Sequence, residues 1–101
     1  MSEVHLYLVG YDIANIGNGP KRWRHVMKAL KRQGRRVQLS VFLCRATKRR
    51  MGRLEARLRA IMDGKEDRLM ITDLGPAASA ASRIKADNLM TSLKEFQALV
   101  V

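Results

Sequence analysis

Asp12 closes the apolar run Val4–Tyr11, and the next acidic residue along the chain is Glu55. Between them, residues 13–54 hold thirteen Lys or Arg and no Asp or Glu. A carboxylate is a hard oxygen ligand, and Mg2+ or Mn2+ held beside it can polarise a phosphodiester and activate a water. The cations beyond it suit the phosphates of a polyanion. Metal-assisted hydrolysis of a nucleic acid, with Asp12 as metal ligand, is one reading of this spacing. The other is structural, with Asp12 capping a turn and pairing with a nearby Arg. Mg2+ takes about six oxygen ligands, usually one or two of them carboxylates. One Asp by itself is therefore a poor site for such an ion.

The basic residues fall into two groups. Lys21, Arg22, Arg24, Lys28, Lys31, Arg32, Arg35 and Arg36 form the first; Arg45, Lys48, Arg49, Arg50, Arg53, Arg57 and Arg59 form the second. Arg outnumbers Lys in both, which favours forked contacts to phosphate. With a formal net charge of +11 and a pI near 10.9, the chain carries a field that attracts nucleic acid over long range. Nucleic acid is therefore the expected partner, and a membrane is not. Cys44 is the single cysteine; it allows no disulfide within the chain and reads as an inert, buried thiol. Neither a charged leader with an apolar stretch behind it nor a run long enough to cross a bilayer is read, so a cytoplasmic protein is expected.

The elements that must position these residues follow from periodicity. Val4–Tyr11 is apolar on both alternating faces and reads as a central strand. His5 within it reads as a satisfied structural histidine. Ala14–Gly19 is turn material, and Pro20 opens a helix. Trp23, Val26, Met27 and Leu30 form its apolar stripe, with Gly34 as its stop. Trp23 is read as a core anchor, with base stacking as the alternative. Val37–Cys44 alternates without a turn residue and reads as one strand. Thr47 caps a second helix running to Met62, with Met51, Leu54, Leu58, Ile61 and Met62 facing the core. Leu69–Leu74 is a further strand. Residues 77–83 read as a linker, Ile84–Phe96 as a weak helix, and Ala98–Val101 as an apolar tail that docks. This order gives an α+β sandwich, with residues 1–76 as core and 77–101 as linker and C-terminal docking segment.

Two strings resemble a known family. Val9-Gly10-Tyr11-Asp12-Ile13 is similar to the end of the first strand in the small CRISPR-associated Cas-two proteins. Arg36-Val37-Gln38-Leu39-Ser40-Val41-Phe42 is similar to that family's second signature, with Leu39 where tyrosine is often found. The basic first helix and Glu66-Asp67 before the last core strand add to the likeness, which covers about residues 4–75. The resemblance implies a ferredoxin-like βαββαβ sandwich with a C-terminal extension, in which Val37–Cys44 belongs to two strands. It also implies a homodimer with swapped C-terminal tails. As site residues it implies Asp12 as catalytic and metal-binding, and Arg36 and Phe42 as catalytic.

The function so implied is CRISPR adaptation. The protein would bind double-stranded DNA, bridge the Cas integrase during spacer acquisition, and carry a metal-dependent endonuclease activity. The alternative is a stand-alone Mg2+-dependent endoribonuclease, or a toxin-like protein that cleaves single-stranded RNA. Nucleic acid is expected at Arg22, Arg24, Lys28, Arg32, Arg35, Arg49, Arg50 and Arg53.

Overall fold

The computed structural model describes residues 3–100. The chain runs β1 (Val4–Asp12), α1 (Gly19–Lys31), β2 (Gly34–Gln38), β3 (Val41–Thr47), α2 (Lys48–Ile61), β4 (Arg68–Pro76), α3 (Ala77–Ala81) and α4 (Leu93–Val100). The four strands form one sheet in the order β2-β3-β1-β4, and every neighbouring pair is antiparallel. Up to β4 this is the βαββαβ order of a ferredoxin-like sandwich, with β1 central as its two apolar faces require.

The alternation of β1 divides its side chains between two layers. Tyr7, Val9 and Tyr11 join Val26, Met27, Leu30, Phe42, Cys44, Met51, Leu54 and Leu58 in the main core beneath α1 and α2. Leu6 faces the other way and packs with Ala77 and Ala80 of α3. Phe42, Leu6, Leu30, Leu58, Val9 and Val26 are among the fully buried side chains, and burying each apolar one stabilises the fold by about 1.5–3 kcal/mol. Cys44 is buried there too, and the loss of hydration pushes its thiol up to about 12.

Several sequence expectations are met. Pro20 lies in the first turn of α1. Thr47 caps α2, accepting a bond from the Arg50 backbone N–H at 3.2 Å; such a cap contributes about 1 kcal/mol. His5 is satisfied on both ring nitrogens, by Asp73 at 2.8 Å and Glu3 at 3.0 Å.

Other expectations are corrected. Val37–Cys44 is two strands joined at Leu39 and Ser40 rather than one. The alternation misses the break because neither turn residue is Gly, Asn or Pro. Gly34 opens β2 instead of merely stopping α1; a Cβ there would collide with the Leu43 carbonyl of β3. Residues 77–81 are helical, and Ala77 and Ala80 are buried against β1; an Ala-rich stretch is a good helix former once a neighbour takes its small face. The expected helix Ile84–Phe96 begins only at Leu93. Leu99 of the tail lines a groove with Gly34, Arg35 and Arg45 of the chain's own sheet. Val101 lies outside the described residues.

Candidate nucleic-acid interface and metal site

α1 and α2 lie side by side on the sheet. Their apolar stripes point down, so the remaining positions present cations to solvent. Arg32, Arg50, Arg53 and Arg57 line one cleft between the helices, with Ala29, Gln33 and Leu54 at its floor and wall. No acidic side chain lines that cleft. Arg24, Lys28 and Arg49 are exposed on the same helices. Arg35 is separate: it lines a second groove with Arg32, Arg45 and Lys94, and pairs with Glu95 at 3.5 Å. Arg57, a member of the second basic group, joins the expected contacts as a cleft residue.

Arg22 takes a different role from the one expected. Its Nε donates to Asp67 Oδ2 at 2.9 Å, and its terminal nitrogens reach Asp67 Oδ1, Ala14 O and Ile16 O at 3.2, 3.1 and 3.3 Å. The Asp67 side chain is fully buried and also accepts bonds from the backbone N–H groups of Ala14 and Asp63. Burial opposes the charged carboxylate, yet Arg22 and those two donors outweigh it and hold Asp67 below the usual range. Arg22 therefore fastens the loop after β1 to the start of β4, and has few donors left for phosphate.

Asp12 stands at the exposed end of β1. It shares a groove with Gly10, Tyr11, Ser40, Arg68, Leu69 and Met70. Arg68 is opposite it in the strand register, but among the described residues Asp12 makes no ion pair within 4.0 Å. The pairing that a structural role would need is missing there. Alternation puts Asp12 on the sheet face away from α1 and α2, together with Gly10 and its cross-strand neighbours Val41 and Met70.

Arg36 and Phe42 lie on the opposite face, directly across from each other in the β2–β3 register. Phe42 is fully buried beside Tyr11. Phe42, expected to be catalytic, has its ring inside the core, where it packs the strand that carries Asp12. Arg36 donates twice to Leu39 O, at 3.0 and 2.7 Å, and lies 5.9 Å from the centre of the Trp23 ring. The Tyr11 hydroxyl also donates to Leu39 O, at 3.1 Å. Burial raises the Tyr11 pKa, against the lowering influence of Arg36. Arg36 and Tyr11 together fix the β2–β3 turn, and Arg36 is not brought against Asp12. Trp23 is 41% exposed, which corrects its reading as a core anchor. It sits at the border of the α1 stripe, beside Arg36 of β2.

Residues 5–80 match the protein family described as CRISPR associated protein Cas2. The chain belongs to that family. It is 37% identical over 97 residues to the CRISPR-associated endoribonuclease Cas2 1 of Rhodospirillum rubrum, covering 96% of this chain and 91% of that protein. It is 39% identical over 82 residues to the CRISPR-associated endoribonuclease Cas2 of Geobacter sulfurreducens, covering 81% and 82%. Among solved structures it resembles Streptococcus pyogenes Cas2, crystallised at pH 6.5, with 34% identity and a TM-score of 0.71 over 82% of this chain and 99% of that one. The Cas2 fold accounts for the unbroken βαββαβ core.

A metal fits this Cas2 chain only in part. Among the described residues no group of three or more His, Cys, Asp and Glu is close enough to hold an ion. Asp12 alone offers one hard carboxylate at an exposed strand end, which leaves most of the coordination of Mg2+ or Mn2+ to water, phosphate or a second copy. No helix among the described residues is long and apolar enough to cross a membrane.

Proposed function

We propose that the protein is a CRISPR adaptation protein that acts as a homodimer. Its helical face holds double-stranded DNA, and the dimer bridges the Cas integrase during spacer acquisition. The observation that carries this reading is the cleft of Arg32, Arg50, Arg53 and Arg57 between α1 and α2, with no acidic residue in its lining. Cations of this kind position a duplex through its phosphates without reading its sequence. The sheet face away from those helices exposes Met70 beside Gly10, a surface suited to a second copy.

A second capability is metal-dependent endonuclease activity, favoured by the exposed Asp12 carboxylate and by the endoribonuclease names of the relatives. In a dimer that joins the open sheet faces, Asp12 from each copy would hold Mg2+ or Mn2+. The bound metal supplies charge neutralisation at the phosphodiester and an activated water. Asp12 itself contributes the anchoring charge, and Ser40 and Arg68 border the groove that admits the strand. Both single-stranded RNA and DNA are substrates of the right chemistry.

Spacer acquisition by the protein with its integrase separates the two roles. Replacing Arg50, Arg53 and Arg57 together by Ala is expected to abolish acquisition, whereas Asp12→Asn is expected to leave it intact. Loss of acquisition in Asp12→Asn, with folding, dimerisation and DNA binding normal, would reverse the ranking in favour of the nuclease.

A further inference from the structure

Trp23 is the only tryptophan in the chain. Its stripe partners Val26, Met27 and Leu30 are buried, while its own indole is 41% exposed. Leaving the largest apolar side chain of an amphipathic helix in water is unfavourable unless something covers it. One cover is the Arg36 guanidinium, 5.9 Å from the ring centre. That guanidinium is positioned beside the indole by its two bonds to the Leu39 carbonyl. Arg36 also lines a groove with Lys31 and Arg35, and the one acid there, Glu95, is paired with Arg35.

Resting on the nucleic-acid reading above, we propose that Trp23, backed by Arg36, is a stacking platform for an unpaired base of a single-stranded nucleic acid. A base is a flat apolar surface with polar edges and stacks on an indole whatever its identity. The Arg36 cation favours the ring face it covers, and Lys31, which lines a groove with Arg36, supplies a further cation for the phosphates of the strand. The bases of an intact duplex are already stacked on one another and cannot use the platform. It is therefore a site for the frayed end of a duplex or for a single strand, distinct from the α1–α2 cleft that suits duplex phosphates.

Because no other tryptophan contributes, the fluorescence of the full-length wild-type protein reports on this site directly. It would be titrated with a 12-nucleotide oligo(U), its oligo(dT) counterpart, an abasic strand of the same length and a blunt DNA duplex. Binding would be followed in parallel by the anisotropy of end-labelled strands. Oligo(U) and oligo(dT) are expected to quench the indole, and the abasic strand and the duplex to bind without quenching. Trp23→Ala is expected to weaken single-strand binding roughly ten-fold, with Trp23→Phe close to wild type and duplex binding unchanged in both. Binding of oligo(U) and oligo(dT) without quenching, or equal quenching by the abasic strand, would overturn the platform and leave the nucleic-acid reading standing. Failure of all four probes to bind would overturn both. If Trp23→Ala does not fold, the wild-type quenching decides the matter alone.

Discussion

On one side of the sheet, α1 and α2 cover Val9, Phe42 and Cys44 and turn Arg32, Arg50, Arg53 and Arg57 outward. On the other side, Asp12 and Met70 stand exposed at the end of β1 and on β4. The contrast shows how a strongly cationic chain keeps a carboxylate available at the end of its first strand. An aspartate set among arginines tends to be consumed by them, as Asp67 is by Arg22. Asp12 escapes because strand alternation turns it to the sheet face opposite α1 and α2. Asp67 and Asp12 are the same chemical group near the same end of the sheet. One is buried, charged and structural; the other is exposed and without an ion pair among the described residues.

The sharpest way to break this comparison is at Asp12. Asp12→Asn keeps size and shape but removes the charge; metal-dependent cleavage of RNA or DNA is expected to fall by about 100-fold or more, on the scale of losing a key charge-stabilising group. Duplex binding, measured by anisotropy, should not move. Equal cleavage by the variant would show that the open face holds no metal chemistry.

Met70→Lys tests whether that face joins two copies. Light scattering at micromolar concentration should report a dimer for the wild type and a monomer for the variant, and cleavage should fall with the dimer. A variant that remains dimeric would place the contact elsewhere.

Asp67→Asn should act on stability rather than on either face. It weakens a buried acceptor of bonds from Arg22, Ala14 and Asp63, so the melting temperature should fall by roughly 5–15 °C. An unchanged melting temperature would mean the loop after β1 is held by other contacts.

The helical face is best measured by salt. With about four to eight phosphates neutralised, the log–log slope of duplex affinity against salt should be about −4 to −7. Replacing Arg50, Arg53 and Arg57 by Ala should make it shallower by about 3. An unaltered slope would remove the α1–α2 cleft from the interface.

The smallest effect belongs to His5, which joins β1 to β4 near the start of α2. Its bonds to Asp73 and then to Glu3 raise its pKa above 6.5; Asp73 in turn is lowered below 3.8, chiefly by His5, with Lys48 contributing. Arg49 borders the same hollow. A raised histidine pKa gives stability that is full below pH 6.5 and is lost as pH rises through the folded value. A lowered carboxylate pKa gives stability that is present above 3.8 and is lost as pH falls through the folded value. The melting temperature should therefore decline as pH is raised from 6 into the alkaline range, on the order of the span a shifted histidine titrates over, and His5→Gln should flatten that decline. A parallel decline in the variant would assign it to other groups.

Much of this was legible in residue types and spacing. The alternation of Val4–Tyr11, the stripe Val26, Met27 and Leu30, the Thr47 cap and the stripe Met51, Leu54 and Leu58 all follow from periods of 2 and 3.6 that a backbone must obey. Asp12 stood out because charge is countable along a chain. The turn at Leu39 and Ser40 did not, because it is held from outside by the Arg36 and Tyr11 bonds to the Leu39 carbonyl. The helix at Ala77–Ala81 was hidden because an alanine run gains its stability from the Leu6 face that it covers.

By itself, then, the sequence determined the first and last strands and the two helices of the core, the cationic excess and the lone acid at the end of the first strand, since these depend on local pattern and on composition; the split of Val37–Cys44 into β2 and β3 did not follow from pattern. Only the tertiary structure decided which charges remain available. Whether an arginine faces solvent, as Arg53 does, or is spent on a buried carboxylate, as Arg22 is, depends on a residue forty-five positions away. Likewise, whether Trp23 is core or surface depends on the neighbours that the fold brings to it, of which Arg36 of β2 is one. Sequence spacing does not encode such distances; they are set when the sheet closes and its long-range contacts form.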